Sequence, residues 1–208
     1  MHSSLGFLPR QPQREPRRSV RLRQANALTG WKQGATEGDG DCFFQSLSVC
    51  LRNPAEDAGP PSILSASQLR ELMLHHVTME CDAVQYWREL LVCGDDVTQA
   101  ELAFARPLIE TGGDSDILAR LKHNMAQPLL YWGDNFAVNA LSKILEVNIV
   151  VVTTNSSTAQ TMQYPRTVVM ALHNAHYEPL VYSSTGCFLT HSREVQDLLD
   201  NKSVTVRN

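Results

Sequence analysis

The chain has 208 residues, of which 43% are hydrophobic, and its formal net charge at pH 7 is −4. This length and composition predict one globular domain with a sizeable core, and the weakly acidic charge argues against a general nucleic-acid binder. No apolar run approaches the roughly 20 residues needed to span a bilayer, and the first residues lack the apolar region of a signal peptide, so no membrane partner is expected.

The cysteines are scattered, odd in number and form no Cys-x-x-Cys pair. They are Cys42, Cys50, Cys81, Cys93 and Cys187. This pattern argues against a disulfide framework or a structural zinc site, so we expect no metal and no other cofactor. It favours a reducing compartment. We therefore expect a cytoplasmic protein, or one acting in a host cytosol if its source is a virus or a bacterium.

Residues 1–27 form a basic, proline-rich segment that differs from the rest of the chain. Its prolines alternate with arginines, and large apolar residues are few. We predict a disordered or loosely docked arm, which is either a linker or an electrostatic attachment to an acidic partner or nucleic acid. Residues 28–208 form the predicted domain.

The first predicted element of the domain is a short edge strand or turn at Trp31-Lys32-Gln33-Gly34. The loop Gly38-Asp39-Gly40-Asp41-Cys42 then enters a helix over Cys42–Arg52, whose apolar side chains recur at helical spacing. Asp41 is the predicted N-cap, and the glycines let the backbone turn sharply. Cys42 would lie in the first helical turn, where N–H groups and the helix dipole favour a thiolate. The alternative is a small buried apolar side chain.

Further helices are predicted in the middle of the chain, separated by turn-rich junctions. They cover residues 65–77, 83–92, 98–108 and 115–125. Ser65 or Ser67 caps the first, and Thr98 and Glu101 have the spacing of a capping box. The acidic loops of this region are either a solvated surface or a docking site for a basic peptide.

The last third of the chain predicts a helix that leads directly into a sheet. Asp134 is the predicted N-cap of an apolar-striped helix over residues 136–145, and a β-branched run over 149–154 predicts a strand buried on both faces. Residues 155–160 are predicted to form a polar turn, and the tail is predicted to fray. Further strands are predicted at residues 168–172, 177–182 and 187–190, and a final helix at 194–199. Helices first and strands later predict an α+β or mixed α/β fold, with helices packed on a small sheet.

A thiolate nucleophile needs a general base, and the base needs a group that orients it. Candidates lie in His173-Asn174-Ala175-His176-Tyr177-Glu178. His176 and Glu178 are two residues apart, so on a strand they share one face, and Glu178 could accept from one imidazole nitrogen while the other faces Cys42. His173 would face the opposite side of a continuous strand, unless a turn separates it from His176.

These motifs together resemble the ovarian-tumour (OTU) family of cysteine proteases. The resemblance rests on the Gly38–Phe44 block, on Trp132-Gly133-Asp134 with its helix and strand, and on His176-Tyr177-Glu178, and it covers roughly residues 31–191. It implies a papain-like fold and a monomeric deubiquitinase that cleaves after the C-terminal Gly-Gly of ubiquitin or of polyubiquitin chains. The alternatives are a protease for a ubiquitin-like modifier and a catalytically weak ubiquitin-binding module.

Carried over to these positions, the resemblance makes Cys42 the nucleophile and His176 the general base. Asp39 would contribute its backbone N–H, together with that of Cys42, to the oxyanion hole. Glu178 stands where the family usually has Asp or Asn, so either Glu178 or Asp39 would complete the triad. Trp132 is either a wall of the substrate channel or an anchor in the core.

Overall fold

A computed structural model provides the structure of the protein. It describes residues 30–37, 40–79, 84–85, 88, 113–128, 131, 133–153, 157–159, 162–173, 176–201 and 204–206. The predicted arm and the predicted helix over residues 98–108 lie outside these residues. Of the predicted helix over residues 83–92, only residues 84, 85 and 88 are described, and these are helical.

The helices with described bounds agree with their predictions to within two residues at each end. They are α1 Cys42–Arg52, α2 Ala66–Met79, α3 Asp114–Met125, α4 Asn135–Leu145 and α5 Arg193–Asn201. Two predicted caps are confirmed. Ser65 and Gln68 form a reciprocal capping box at α2, since each side chain accepts from the other's backbone N–H, at 3.2 and 2.8 Å. The Asp134 carboxylate accepts from the N–H of Ala137 at 3.0 Å and so caps α4.

The strands form a mixed sheet in the order β1-β5-β4-β2-β3-β7, with β6 also paired to β4. Their bounds are β1 Trp31–Gln33, β2 Val147–Val152, β3 Ser157–Ala159, β4 Arg166–His173, β5 His176–Tyr182, β6 Cys187–Leu189 and β7 Val204–Val206. β2 and β4 are parallel, whereas β5 runs antiparallel to both of its neighbours, β4 and β1. The edge strand predicted at Trp31 is therefore confirmed.

Two strands contradict the sequence predictions. β3 falls within residues 155–160, which were expected to form only a turn, and β7 falls in the tail that was expected to fray. β3 pairs with β2, and β7 pairs with β3. Each of these short strands forms because it completes the main-chain hydrogen bonds of a neighbouring strand. Such pairing needs no alternation of apolar and polar residues, so the sequence carries no local signal for it.

The sheet separates two hydrophobic clusters. One face, which includes Val168 and Met170, packs against α1 and α4, and α2 packs on these two helices and on α3. Val169 and Ala171 point to the other face, where Leu198 of α5 packs. Successive side chains of a strand alternate between faces, so a strand covered on both sides reads as a continuous apolar run. All of β2 is buried in this way, as predicted. A small sheet between helices confirms the predicted α+β fold.

No helix among the described residues is both long enough and apolar enough to cross a membrane.

Candidate active site

The N-terminus of α1 lies against the start of β5. Phe43 and Phe44 in the first turn are fully buried, and the Phe43 ring meets the Tyr177 ring edge-on at 5.1 Å between centroids. Gly40, which leads into the helix, has φ +90°, a left-handed conformation that side chains disfavour. The sharp turn predicted before Cys42 is therefore confirmed at Gly40.

Asp41 occupies the N-cap position of α1, but the predicted role of its side chain is wrong. Its backbone carbonyl accepts from the N–H of Gln45 at 2.8 Å, while its carboxylate makes no capping hydrogen bond. That carboxylate instead pairs with the guanidinium of Arg70. Arg70 is only 5% exposed, and a buried cation needs an anion beside it more than a helix end needs a cap.

Cys42, at the N-terminus of α1, contacts the residue of β5 that follows His176. The backbone N–H of Tyr177 donates to the Cys42 sulfur at 3.5 Å, and Tyr177 directly follows His176. An N–H donor at this place favours negative charge on the sulfur. The structure thus brings together the segments that carry the predicted nucleophile and the predicted base.

The imidazole of His176 is oriented by Thr36, a residue that the sequence did not point to. Thr36 Oγ1 lies 3.2 Å from Nε2 of His176 and donates to the carbonyl of Tyr177 at 2.7 Å. A hydroxyl has a single proton, so toward His176 it accepts, and Nε2 carries the hydrogen. Nδ1 of the neutral ring then keeps the lone pair that a general base needs.

Thr36 reaches this place because the chain continues beside β5 after β1 ends. The N–H of Gly34 donates to the carbonyl of Pro179 at 2.9 Å, which extends the pairing of the two segments. A threonine in a loop carries no catalytic signature, and only the register of β1 against β5 could have identified it.

His173 and His176 lie directly opposite each other on β4 and β5. They therefore share a face of the sheet. The prediction that His173 faces the opposite side held only for one continuous strand, and the two histidines lie on different strands. Glu178 is paired with Ala171 on that same part of the sheet and is only 5% exposed. Burial raises the pKa of the Glu178 carboxyl, and the nearby charges of His176 and His173 lower it by less.

Within the described residues, no hydrogen bond joins the Glu178 carboxylate to His176, so the two side chains interact through charge. Asp39 and Trp132 lie outside the described residues, and their predicted roles stay predictions. No group of three His, Cys, Asp or Glu side chains that could hold a metal ion occurs in the part of the chain that the structure describes.

A cysteine in the first turn of a helix, in contact with the residue that follows a histidine on a nearby strand, is compatible with the nucleophile and base of a papain-type cysteine protease. The model of the OTU-like cysteine proteases matches residues 37–192, so the chain belongs to this family. No curated protein sequence matches it.

Solved structures share the fold at low sequence identity. An OTU domain in complex with ubiquitin superimposes with a TM-score of 0.52 at 15% identity, covering 82% of this chain and 81% of that chain. An OTU deubiquitinase from Wolbachia pipientis wMel matches with a TM-score of 0.46 at 16% identity, covering 81% of this chain and 96% of that chain. The first of these structures supports the OTU fold of this chain.

Proposed function

We propose that the protein is a deubiquitinase that hydrolyses the isopeptide or peptide bond after the C-terminal Gly-Gly of ubiquitin. The observation that carries the proposal is the contact of the Cys42 sulfur with the N–H next to His176, whose ring is held by Thr36. Ubiquitin as the substrate is supported by membership in the OTU-like family and by the related OTU domain that was solved in complex with ubiquitin.

In the proposed reaction, Nδ1 of His176 takes the proton of the Cys42 thiol, and the thiolate attacks the carbonyl carbon of the terminal glycine. Collapse of the tetrahedral intermediate breaks the carbon–nitrogen bond, and His176 gives its proton to the leaving lysine amine. Water, deprotonated by His176, then attacks the acyl-enzyme. Ubiquitin leaves with a free carboxylate, and the thiol is restored.

The oxyanion of the intermediate needs hydrogen-bond donors that are already in place. The N–H of Cys42 belongs to the first turn of α1, where backbone donors have no partner within the helix. Removing one such donor costs about 10²–10³ in rate in well-studied hydrolases. The N–H of Asp39 is the second donor that the family resemblance implies.

Two alternatives to the proposal can be distinguished by how the protein reacts with a ubiquitin probe. The absence of a hydrogen bond between Glu178 and His176 favours a catalytically weak ubiquitin-binding module, whereas the orientation of His176 by Thr36 favours an active enzyme. The second alternative is a protease that prefers a ubiquitin-like modifier.

The test is to incubate the protein with ubiquitin that carries a C-terminal electrophile. We expect a covalent adduct that is lost in Cys42→Ala and kept in Cys50→Ala. Cys50 is a matched control because it lies on the same helix, is fully buried, and has its pKa raised to about 12, chiefly by burial. Binding without an adduct would favour the module, and an adduct formed only with a ubiquitin-like modifier would favour the second alternative.

A further inference from the structure

The guanidinium of Arg70, on α2, is buried next to the loop that precedes the nucleophile. The residue is 5% exposed, and its Cζ lies 4.2 Å from the centroid of the Phe44 ring. The cation therefore packs on the face of an aromatic ring inside the fold. An unpaired guanidinium at this depth would destabilise the fold strongly. Its partners therefore show what it does.

Arg70 donates to four groups that belong to three separate segments. Its acceptors are the Asp41 carboxylate, 3.1 Å from Nε and also bonded by Nη2, and the carbonyls of Gly40 at 3.5 Å, Met125 at 2.5 Å and Tyr131 at 3.2 Å. Met125 ends α3, and Tyr131 lies shortly before α4. The guanidinium therefore ties the loop before Cys42 to two parts of the helical layer.

The N–H of Cys42 belongs to the peptide group that Cys42 shares with Asp41, one of the residues that Arg70 holds. Gly40 is in the left-handed conformation, and Asp41, the N-cap, has non-helical dihedral angles and is joined to α1 through its carbonyl, which accepts from the N–H of Gln45. Arg70 binds one residue through its carbonyl and the other through its side chain. It contacts both of the residues that directly precede Cys42.

We propose that Arg70 is a positioning residue for acyl transfer, which holds Gly40 and Asp41 so that the backbone N–H of Cys42 faces the oxyanion. This inference rests on the proposed cysteine-protease reaction. Arg70 acts through the loop and touches neither the sulfur nor the substrate. The planar guanidinium suits this task because its fork of donors reaches several acceptors at once, whereas a lysine has one compact ammonium group.

The test compares Arg70→Lys and Asp41→Asn with Arg52→Lys. Arg70→Lys keeps the positive charge but loses the forked set of guanidinium donors. Asp41→Asn keeps an oxygen acceptor but loses the ion pair. Arg52, the exposed last residue of α1, is the matched control, since its Nη2 donates to Ser48 on the same helix at 3.5 Å. Variants are assayed at a temperature where their circular dichroism matches that of the wild type.

Two reactions of Cys42 separate the proposed role from a merely structural one. Hydrolysis of p-nitrophenyl acetate and of a ubiquitin C-terminal amide passes through an oxyanion, whereas alkylation of the thiol by iodoacetamide does not. We expect Arg70→Lys and Asp41→Asn to lower kcat on both acyl substrates by about 10²-fold, the effect of losing one oxyanion donor. The KM and the alkylation rate stay within about twofold of the wild type, and Arg52→Lys behaves as the wild type.

A wild-type kcat on the ester in folded Arg70→Lys would overturn the inference, and so would an equal loss in hydrolysis and alkylation. A wild type that hydrolyses the ester but not the ubiquitin amide would refute the proposed substrate only. In that case the effect of the variants on the ester still decides the role of Arg70.

Discussion

Thr36 Oγ1 and Nε2 of His176 lie 3.2 Å apart, and the hydroxyl proton of Thr36 is directed to the carbonyl of Tyr177. A carboxylate in this place would both orient the imidazole and stabilise its positive charge. A hydroxyl only orients it. Negative charge reaches His176 from Glu178 instead, through space rather than through a hydrogen bond. In the proposed mechanism, the two tasks of a third triad member are thus divided between Thr36 and Glu178.

Thr36→Val is expected to lower kcat/KM by about two- to tenfold, since one neutral hydrogen bond contributes about 0.5–1.5 kcal/mol. Valine has nearly the shape of threonine but cannot accept from Nε2, so the ring loses its preferred tautomer and direction. Measurement of kcat/KM against pH, with ¹⁵N NMR of the His176 ring nitrogens, checks this result. The spectra should show hydrogen on Nε2 in the wild type and a mixture of tautomers in the variant.

Thr36→Ser is the matched control, because serine keeps the hydroxyl and should keep most of the activity. A wild-type kcat/KM in Thr36→Val would show that this contact does not orient the base. A loss of activity and melting temperature in Thr36→Ser, with none in Thr36→Val, would point to packing of the threonine methyl group instead.

His176→Ala is expected to abolish hydrolysis, while His173→Ala should keep at least about a tenth of the wild-type kcat/KM. Both histidines face the same side of the sheet near Glu178, but only the strand position of His176 adjoins the N–H that binds the Cys42 sulfur. Turnover of a ubiquitin C-terminal amide by the two variants decides between them. The reverse ranking would make His173 the base.

Glu178→Gln is expected to stabilise the protein at neutral pH. The pKa of Glu178 is raised in the folded state, so the folded state binds the proton more tightly than the unfolded state, and stability falls as pH rises from 4.5 through the folded pKa. Glutamine removes that loss. Melting temperatures of both proteins at pH 4, 6 and 8 should converge at pH 4 and separate above it.

A variant that melts below the wild type at pH 8 would contradict the raised pKa. For catalysis, Glu178→Ala should slow turnover less than His176→Ala does, since Glu178 acts on the base through charge alone. Equal losses in these two variants would make Glu178 a full triad member.

The fold was largely predictable because its main elements leave local signals in the sequence. The apolar stripe of α4 ends where the β-branched run of β2 begins, and the caps at Ser65 and Asp134 are confirmed. β3 and β7 were missed because they are three-residue strands made by pairing with neighbours, and pairing partners that are distant in sequence leave no local periodicity.

The candidate site was predictable only where its residues belong to a motif. Cys42, His176 and Glu178 stand in short recognisable blocks, and the structure places their segments together. Thr36 and Arg70 stand in none. Thr36 reaches the site through the register of a strand, and Arg70 through helix packing that brings α2 beside the loop before the nucleophile. Such contacts depend on the tertiary fold.

Gly133, just before α4, packs against Phe43, the residue after the proposed nucleophile, and Gly133→Ala should impair both stability and activity. Its φ is +81°, and an added Cβ would lie 2.7 Å from the Phe43 ring, which directly follows Cys42. Overpacking of this kind costs about 1–3 kcal/mol beyond the strain of a left-handed alanine. The displaced Phe43 ring would also press on Tyr177, whose N–H binds the Cys42 sulfur.

Gly59→Ala separates steric clash from backbone strain. Gly59 has nearly the same conformation, with φ +93°, but nothing lies within 4 Å of an added Cβ. Urea unfolding should show a loss of about 1–2 kcal/mol for Gly59→Ala with unchanged kcat, and a clearly larger loss with reduced kcat for Gly133→Ala. If the two variants lost the same stability and the same activity, Phe43 would tolerate the intruding methyl group, and the contact with Gly133 would not position the nucleophile.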